Sequence, residues 1–176
     1  GGHNDSQCIG TVFSGSQYPS STDSRLISPS ITLSNVTGDE ELSLRFWQWF
    51  AYNSGDAGYV QISVFDDSTS KWSDWTTIGK SIVNSSKLWS VTRVDLNEYA
   101  GKKVRIGFYH TADVYSDVSR GWFLDDIEIV KKVPVFTGDF ESGEGDWYAD
   151  NGLWETGGGG HNDSQCIGTV FSGSQY

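Results

Sequence analysis

The chain has 176 residues, 36% hydrophobic and 14% aromatic, enough apolar side chain to close one ordinary core and too much for a disordered segment. Asp and Glu number 23 against 12 Lys and Arg, a formal net charge of −11; this argues against nucleic acid or an anionic membrane as partner, since both are bound through a basic face. No stretch approaches the roughly 20 apolar residues of a membrane span, and neither a signal peptide nor any Met is present, so the expectation is a processed or excised piece of a secreted protein, with no membrane insertion.

Taken in chain order, the segments read as strands. Weak ones are expected at Ser6–Phe13 and Arg25–Leu33, followed by strong ones at Glu41–Ala51 and Gly58–Asp66. A further weak strand at Lys71–Ile78 precedes strong ones at Lys87–Leu96, Lys102–His110 and Gly121–Val130. All are rich in β-branched and aromatic residues, alternate in polarity, and are bounded by Gly, Asn, Asp and Ser. Only Asn97–Gly101 suggests a helical turn. The pattern predicts an all-β, two-sheet antiparallel sandwich. Alternation points Leu42, Leu44, Phe46, Val60, Ile62, Val64, Val104, Ile106 and Phe108 inward.

Residues 159–176 then repeat residues 1–18 letter for letter, a period of 158 residues that marks a tandem array or a polymer built from one. The boundary falls in Lys131–Trp147, around Pro134, giving a bulk domain at 1–132 and the opening of the next repeat at 133–176. The block Val135–Glu155 has no counterpart before residue 1, so the bulk domain is expected to lack its own opening strand. Cys8 and Cys166 occupy the same place in the period, either as small buried thiols or as an inter-repeat bridge.

The order SRLISPSI (Ser24–Ile31), LSLRFWQWF (Leu42–Phe50), GYVQISV (Gly58–Val64), WSDWTTI (Trp72–Ile78), Val94–His110 and GWFLDDIEI (Gly121–Ile129), with DFESGEGDW (Asp139–Trp147) opening the next unit, resembles the MAM-like jelly-roll modules. These belong to bacterial secreted multidomain proteins, including immune-inhibitor-A-like metallopeptidases, and the closing and opening segments also look like jelly-roll carbohydrate-binding modules. The resemblance implies a jelly roll whose first strand comes from the C-terminal segment, either in trans or by circular permutation. It also implies a structural calcium ion (Ca2+) held by Glu141 and Asp125, with Asp126 as a neighbour. A hard cation wants six to eight oxygens and relieves carboxylate repulsion. In this sequence Glu141 follows Asp125, which leaves open whether they meet within a chain or between neighbours.

Other candidates come from the residues alone. Asp66 and Asp67 read as a polar turn; Asn53, Asp56 and Asp113 are further oxygen donors. Trp47, Trp49, Tyr59 and Tyr109, with Arg45 and Arg105, could make a sugar-stacking platform on one sheet, or could be covered by a loop or packed neighbour. Trp72, Trp75 and Trp89 read as core or edge packing. Asn4, Asn35, Asn84 and Asn162 begin glycosylation sequons. There is no HExxH, nucleophile elbow or CxxC, and the only His residues are His3, its copy His161, and His110, so a non-catalytic role is expected.

These readings converge on an extracellular, surface-associated repeat module whose partners are neighbouring copies. A sheet missing a strand exposes an edge that invites donation from another unit. If the donor folds back, residues 159–176 duplicate a place already filled by residues 1–18, and one copy must be displaced or passed on. The rival is a carbohydrate-binding module accessory to a secreted enzyme, with glycan as its partner.

Overall fold

In a computed structural model, the described residues are 1–4, 6–15, 17–115, 118–135, 138, 140–150, 154–159 and 165–169. The chain divides into two compact units, Gly1–Val133 and Pro134–Tyr176.

The first unit is all-β. Its strands are β1 (Ile9–Gly10), β2 (Asp23–Ile27), β3 (Ile31–Thr32), β4 (Glu41–Ala51), β5 (Ala57–Asp66), β6 (Lys71–Trp72), β7 (Thr76–Thr77), β8 (Ser90–Asp95), β9 (Lys103–Thr111) and β10 (Gly121–Lys132). One 3-10 turn at Asn97–Tyr99 follows β8, fixed by Asn97 Oδ1 accepting the Leu42 N–H at 2.7 Å. The first sheet runs β1-β10-β4-β8 and the second β2-β9-β5-β6, with β3 also beside β9 and β7 beside β5; every pairing is antiparallel.

Alternation along β4 sends Leu42, Leu44 and Phe46 inward, where they meet Val60 and Ile62 of β5 and Val104, Ile106 and Phe108 of β9. The two sheets therefore share one core, with the Phe46 and Phe108 rings 5.2 Å apart and Trp122 of β10 5.5 Å from Phe108. Each such side chain contributes about 1.5–3 kcal/mol by leaving water. Gln48 continues the inward series of β4 and is buried. It accepts the Trp122 indole N–H at 2.9 Å and donates to Thr92 Oγ1 at 2.7 Å, so its burial costs little.

Expected strands shorten where the chain breaks its own ladder. Arg25–Leu33 becomes β2 and β3 because Pro29 cannot donate; Ser28 bridges the gap, its N–H reaching Ile106 O and its Oγ accepting the Ile106 N–H, both at 2.9 Å. Lys71–Ile78 likewise splits into β6 and β7 around Ser73, which exchanges bonds with Val64. Asp66 closes a polar turn by accepting from Ser68 and Thr69.

The second unit contains a hairpin of β11 (Glu155–Gly158) and β12 (Gln165–Gly168), in the register Thr156↔Ile167 and Gly157↔Cys166. Cys8 and Cys166 are both half-buried thiols.

Candidate functional site

The candidate site lies along the outer edge of β10. Ten residues of β10 pair with β4, whereas β1 pairs only with Leu124 and Phe123, through Ile9 and Gly10. Among the described residues, no strand lies beside that edge from Asp125 to Lys132. A groove of about 520 Å³ opens there between the sheets, walled by Ile9, Leu26, Ile27 and Ile127 and floored by the core residues Leu44, Ile106 and Phe108. The wall residues are 38–46% exposed, although all four are large aliphatic side chains beside a closed core. Exposed apolar surface thus lies beside a strand edge that no described strand pairs, which is what a receiving slot for an added strand presents.

The second unit presents the converse. Phe140, Trp147, Trp154 and Ile167 line an apolar cavity of about 620 Å³, and the Phe140 and Trp147 rings are 5.8 Å apart. Trp147 and Trp154 are each about half exposed, so this cluster resembles a core with one wall missing. Glu141 sits at the hairpin, its Oε1 accepting the Gln165 backbone N–H at 2.8 Å.

Asp125 and Asp126 occupy a bulge in β10, where the register with β4 slips between Asp125 and Glu128 and Asp126 takes φ +47°. Bulges and left-handed non-glycine residues re-aim side chains. Here both carboxylates turn to His3: its backbone N–H donates to Asp125 Oδ2 at 2.7 Å, and its Nδ1 lies 3.2 Å from Asp126 Oδ2. The His3 ring stacks on Trp47 at 3.4 Å and 15°. Sequence reading missed His3, whose spacing from Asp125 carries no signal. Asp125 and Asp126 belong to the first unit and Glu141 to the second; among the described residues no three His, Cys, Asp or Glu side chains gather to hold an ion.

The expected aromatic platform is not on one sheet. Arg45, Trp47 and Trp49 lie on β4 of the first sheet, while Tyr59, Arg105 and Tyr109 lie on β5 and β9 of the second. On the first, Trp47 carries His3, Trp49 packs edge-on to Phe123, and Arg45 pairs with Glu128. On the second, the Tyr59 and Tyr109 rings are 6.3 Å apart. Arg25 lies over both Tyr109 (4.6 Å) and Trp75 (4.8 Å), and Arg105 lies over Trp72 (4.1 Å). Trp72 and Trp75 are therefore half-buried on an outer face, not in the core. Gly107 makes this possible: a Cβ there would stand 2.7 Å from Arg25 Cδ and 2.9 Å from Trp75 Cζ3.

A buried polar network, also missed, ties loops to the core. Asp56, only 4% exposed, accepts the Tyr18 hydroxyl at 2.5 Å and the Asp113 N–H at 2.8 Å, so both of its carboxylate oxygens are engaged within the first unit. Beside it, Tyr52 Oη is 3.1 Å from His110 Nδ1. Burial, then the Asp56 hydrogen bond, pushes Tyr18 up to about 12. Burial raises Tyr52 further, and it lowers His110 against the opposing pull of Asp56.

Asn4, Asn35 and Asn84 are exposed; Asn162 lies outside the described residues. No protein-family model matches the chain, and no curated protein matches it.

Proposed function

We propose that the chain is a non-catalytic extracellular repeat module that joins end to end, each unit completing its neighbour's sandwich with the segment that follows Val133. The observation that carries this reading is the open groove beside the half of β10 that has β4 on one side and, among the described residues, no strand on the other. The exposed apolar cluster of the second unit supplies a donor of matching character, and the duplicated 18 residues supply the continuity of an array. Among the described residues of the first unit, counting β2 with β3 and β6 with β7 as interrupted single strands leaves eight, and the first lies beside the last. That order supports a jelly roll of the MAM-like kind. A heterologous contact of this sort propagates as a fibre or adhesive stalk at the cell surface.

Calcium belongs to the same reading. Asp125 and Asp126 offer hard oxygen donors on a bulge, and Glu141 offers a third beside Gln165, the copy of Gln7 that leads into β1. These side chains would hold the ion across the junction, where it offsets three negative charges in an already acidic protein.

Negative-stain microscopy and light scattering of the full chain test the proposal. Filaments or a ladder of oligomers are expected, with a melting temperature lowered by chelator and a chelator effect lost in Glu141→Ala. Strictly monomeric protein at high concentration would remove the reading. The second reading, a glycan-binding face, draws on the Tyr59–Tyr109 pair; monomers retained on insoluble polysaccharide would favour it instead.

A further inference from the structure

We propose that the β11–β12 hairpin of one copy displaces β1 of the next copy from the outer edge of β10. This rests on the complementation reading above and names the strand that is exchanged.

The incoming strand carries the same recognition residues as the resident one. Gln165–Gly168 and Thr169 copy Gln7–Gly10 and Thr11. In the first unit each of the last three has a defined task. Ile9 stands opposite Leu124 and walls the groove. Gly10 stands opposite Phe123, whose ring occupies the space a Cβ would need. Thr11 donates its N–H to Trp122 O at 3.0 Å and accepts the Trp122 N–H on Oγ1 at 3.1 Å. Ile167, Gly168 and Thr169 would meet Leu124, Phe123 and Trp122 of the next copy in the same register.

The hairpin can do this without opening. Along an extended strand successive N–H groups point to opposite edges, so residues of one parity share an edge. Thr11 faces β10, and with it Ile9 two residues earlier; by the same parity their copies Thr169 and Ile167 share an edge with Gln165. In the second unit the copy of Gln7 is Gln165, and its N–H faces Glu141, away from β11. The edge by which β12 would join β10 is thus the edge β11 leaves open, and docking yields a sheet in the order β11-β12-β10-β4-β8.

Exchange is also downhill in apolar area. Ile9 walls the open groove of the first unit, and its copy Ile167 lines the half-open cluster of Phe140, Trp147 and Trp154. Placing Ile167 where Ile9 stands brings those two exposed surfaces together. The resident strand gives up its two paired residues and the Thr11 bonds to Trp122, and Ile167, Gly168 and Thr169 would restore the same set in its place.

Mirror substitutions at the two copies of one glycine separate donor from resident. In the full chain, Gly168→Val places a Cβ against Phe123 of the next copy and is expected to slow assembly about tenfold or more, as overpacking does. Gly10→Val weakens the resident strand and is expected to leave assembly as fast as wild type or faster. Should Gly10→Val not fold, judged by circular dichroism, Ile9→Ala and Ile167→Ala give the same opposed pair. Equal effects of the two members, or wild-type assembly by Gly168→Val, would overturn strand exchange while leaving complementation by residues 133–158 intact. Wild-type chains that never assemble would overturn both.

Discussion

The two halves of β10 share one partner and differ in the other. At Phe123 and Leu124 the strand lies between β4 and β1, and Leu124 is 4% exposed. From Asp125 onward β4 is the one strand alongside among the described residues, and Ile127, in the bulge where the register slips, is 44% exposed. Apolar residues of similar size thus have opposite environments within one strand. Residue type alone does not decide burial here: Ile129, also beyond the reach of β1, packs half-buried against the core, so the exposure of Ile127 belongs to the bulge and to the groove beside it.

The largest expected effect breaks this comparison open directly. Leu124→Ala should cost about 2–5 kcal/mol in urea unfolding of dilute protein, because it empties a closed core. Ile127→Ala, three residues along, should cost less than about 1 kcal/mol under the same conditions. At concentrations that assemble the chain, the ranking for polymer formation should narrow. Equal costs in dilute protein would mean that the distal half already has its cover.

A middle-sized effect concerns the loops that the proximal half helps to hold. Tyr18→Phe leaves buried Asp56 without one of its two donors and should cost about 1–3 kcal/mol. The neighbouring His110 adds a pH signature. Its folded pKa is below the ordinary 6.5, chiefly through burial, so the unfolded chain binds its proton more readily. Stability is therefore full above pH 6.5 and falls as the pH drops from there toward the folded value. Glu40, lowered chiefly by Lys131, and Asp66, lowered by Ser68 and Thr69, lose their contributions only below about 4.5 and 3.8 respectively. Urea unfolding between pH 7 and about 5 should show a slope that His110→Gln flattens; an unchanged slope would assign it elsewhere.

How much of this was legible in the sequence depended on periodicity. Glu41–Ala51 alternates without interruption, and β4 matches it end to end, with Leu42, Leu44 and Phe46 inward as expected. Where Pro29 or Ser73 interrupts the pattern, one expected strand became two. Alternation gives the inner or outer face of a strand but not its sheet, which is why Trp47 and Tyr109 were grouped and yet lie on different sheets. His3 and Asp125, or Tyr18 and Asp56, meet only through loops, and no local pattern encodes such meetings.

The smallest expected effect sharpens the contrast between covered and uncovered apolar surface. On the second sheet the outer aromatics are shielded from within the chain: Arg25 spans Trp75 and Tyr109, and its Nε donates to Gln61 at 2.7 Å, which fixes the guanidinium plane. The groove beside β10 has no such cation among its aliphatic wall residues. A stacked guanidinium at a half-exposed site contributes about 0.5–1 kcal/mol, so Arg25→Met, which keeps the apolar stem and removes the charge, should cost about that much. Gly107→Ala should cost a similar amount, since its Cβ would push Arg25 and Trp75 off the sheet. If both act through one stacked arrangement, the double variant should cost clearly less than the two single costs added. Additive costs would mean that Arg25 and Gly107 act separately.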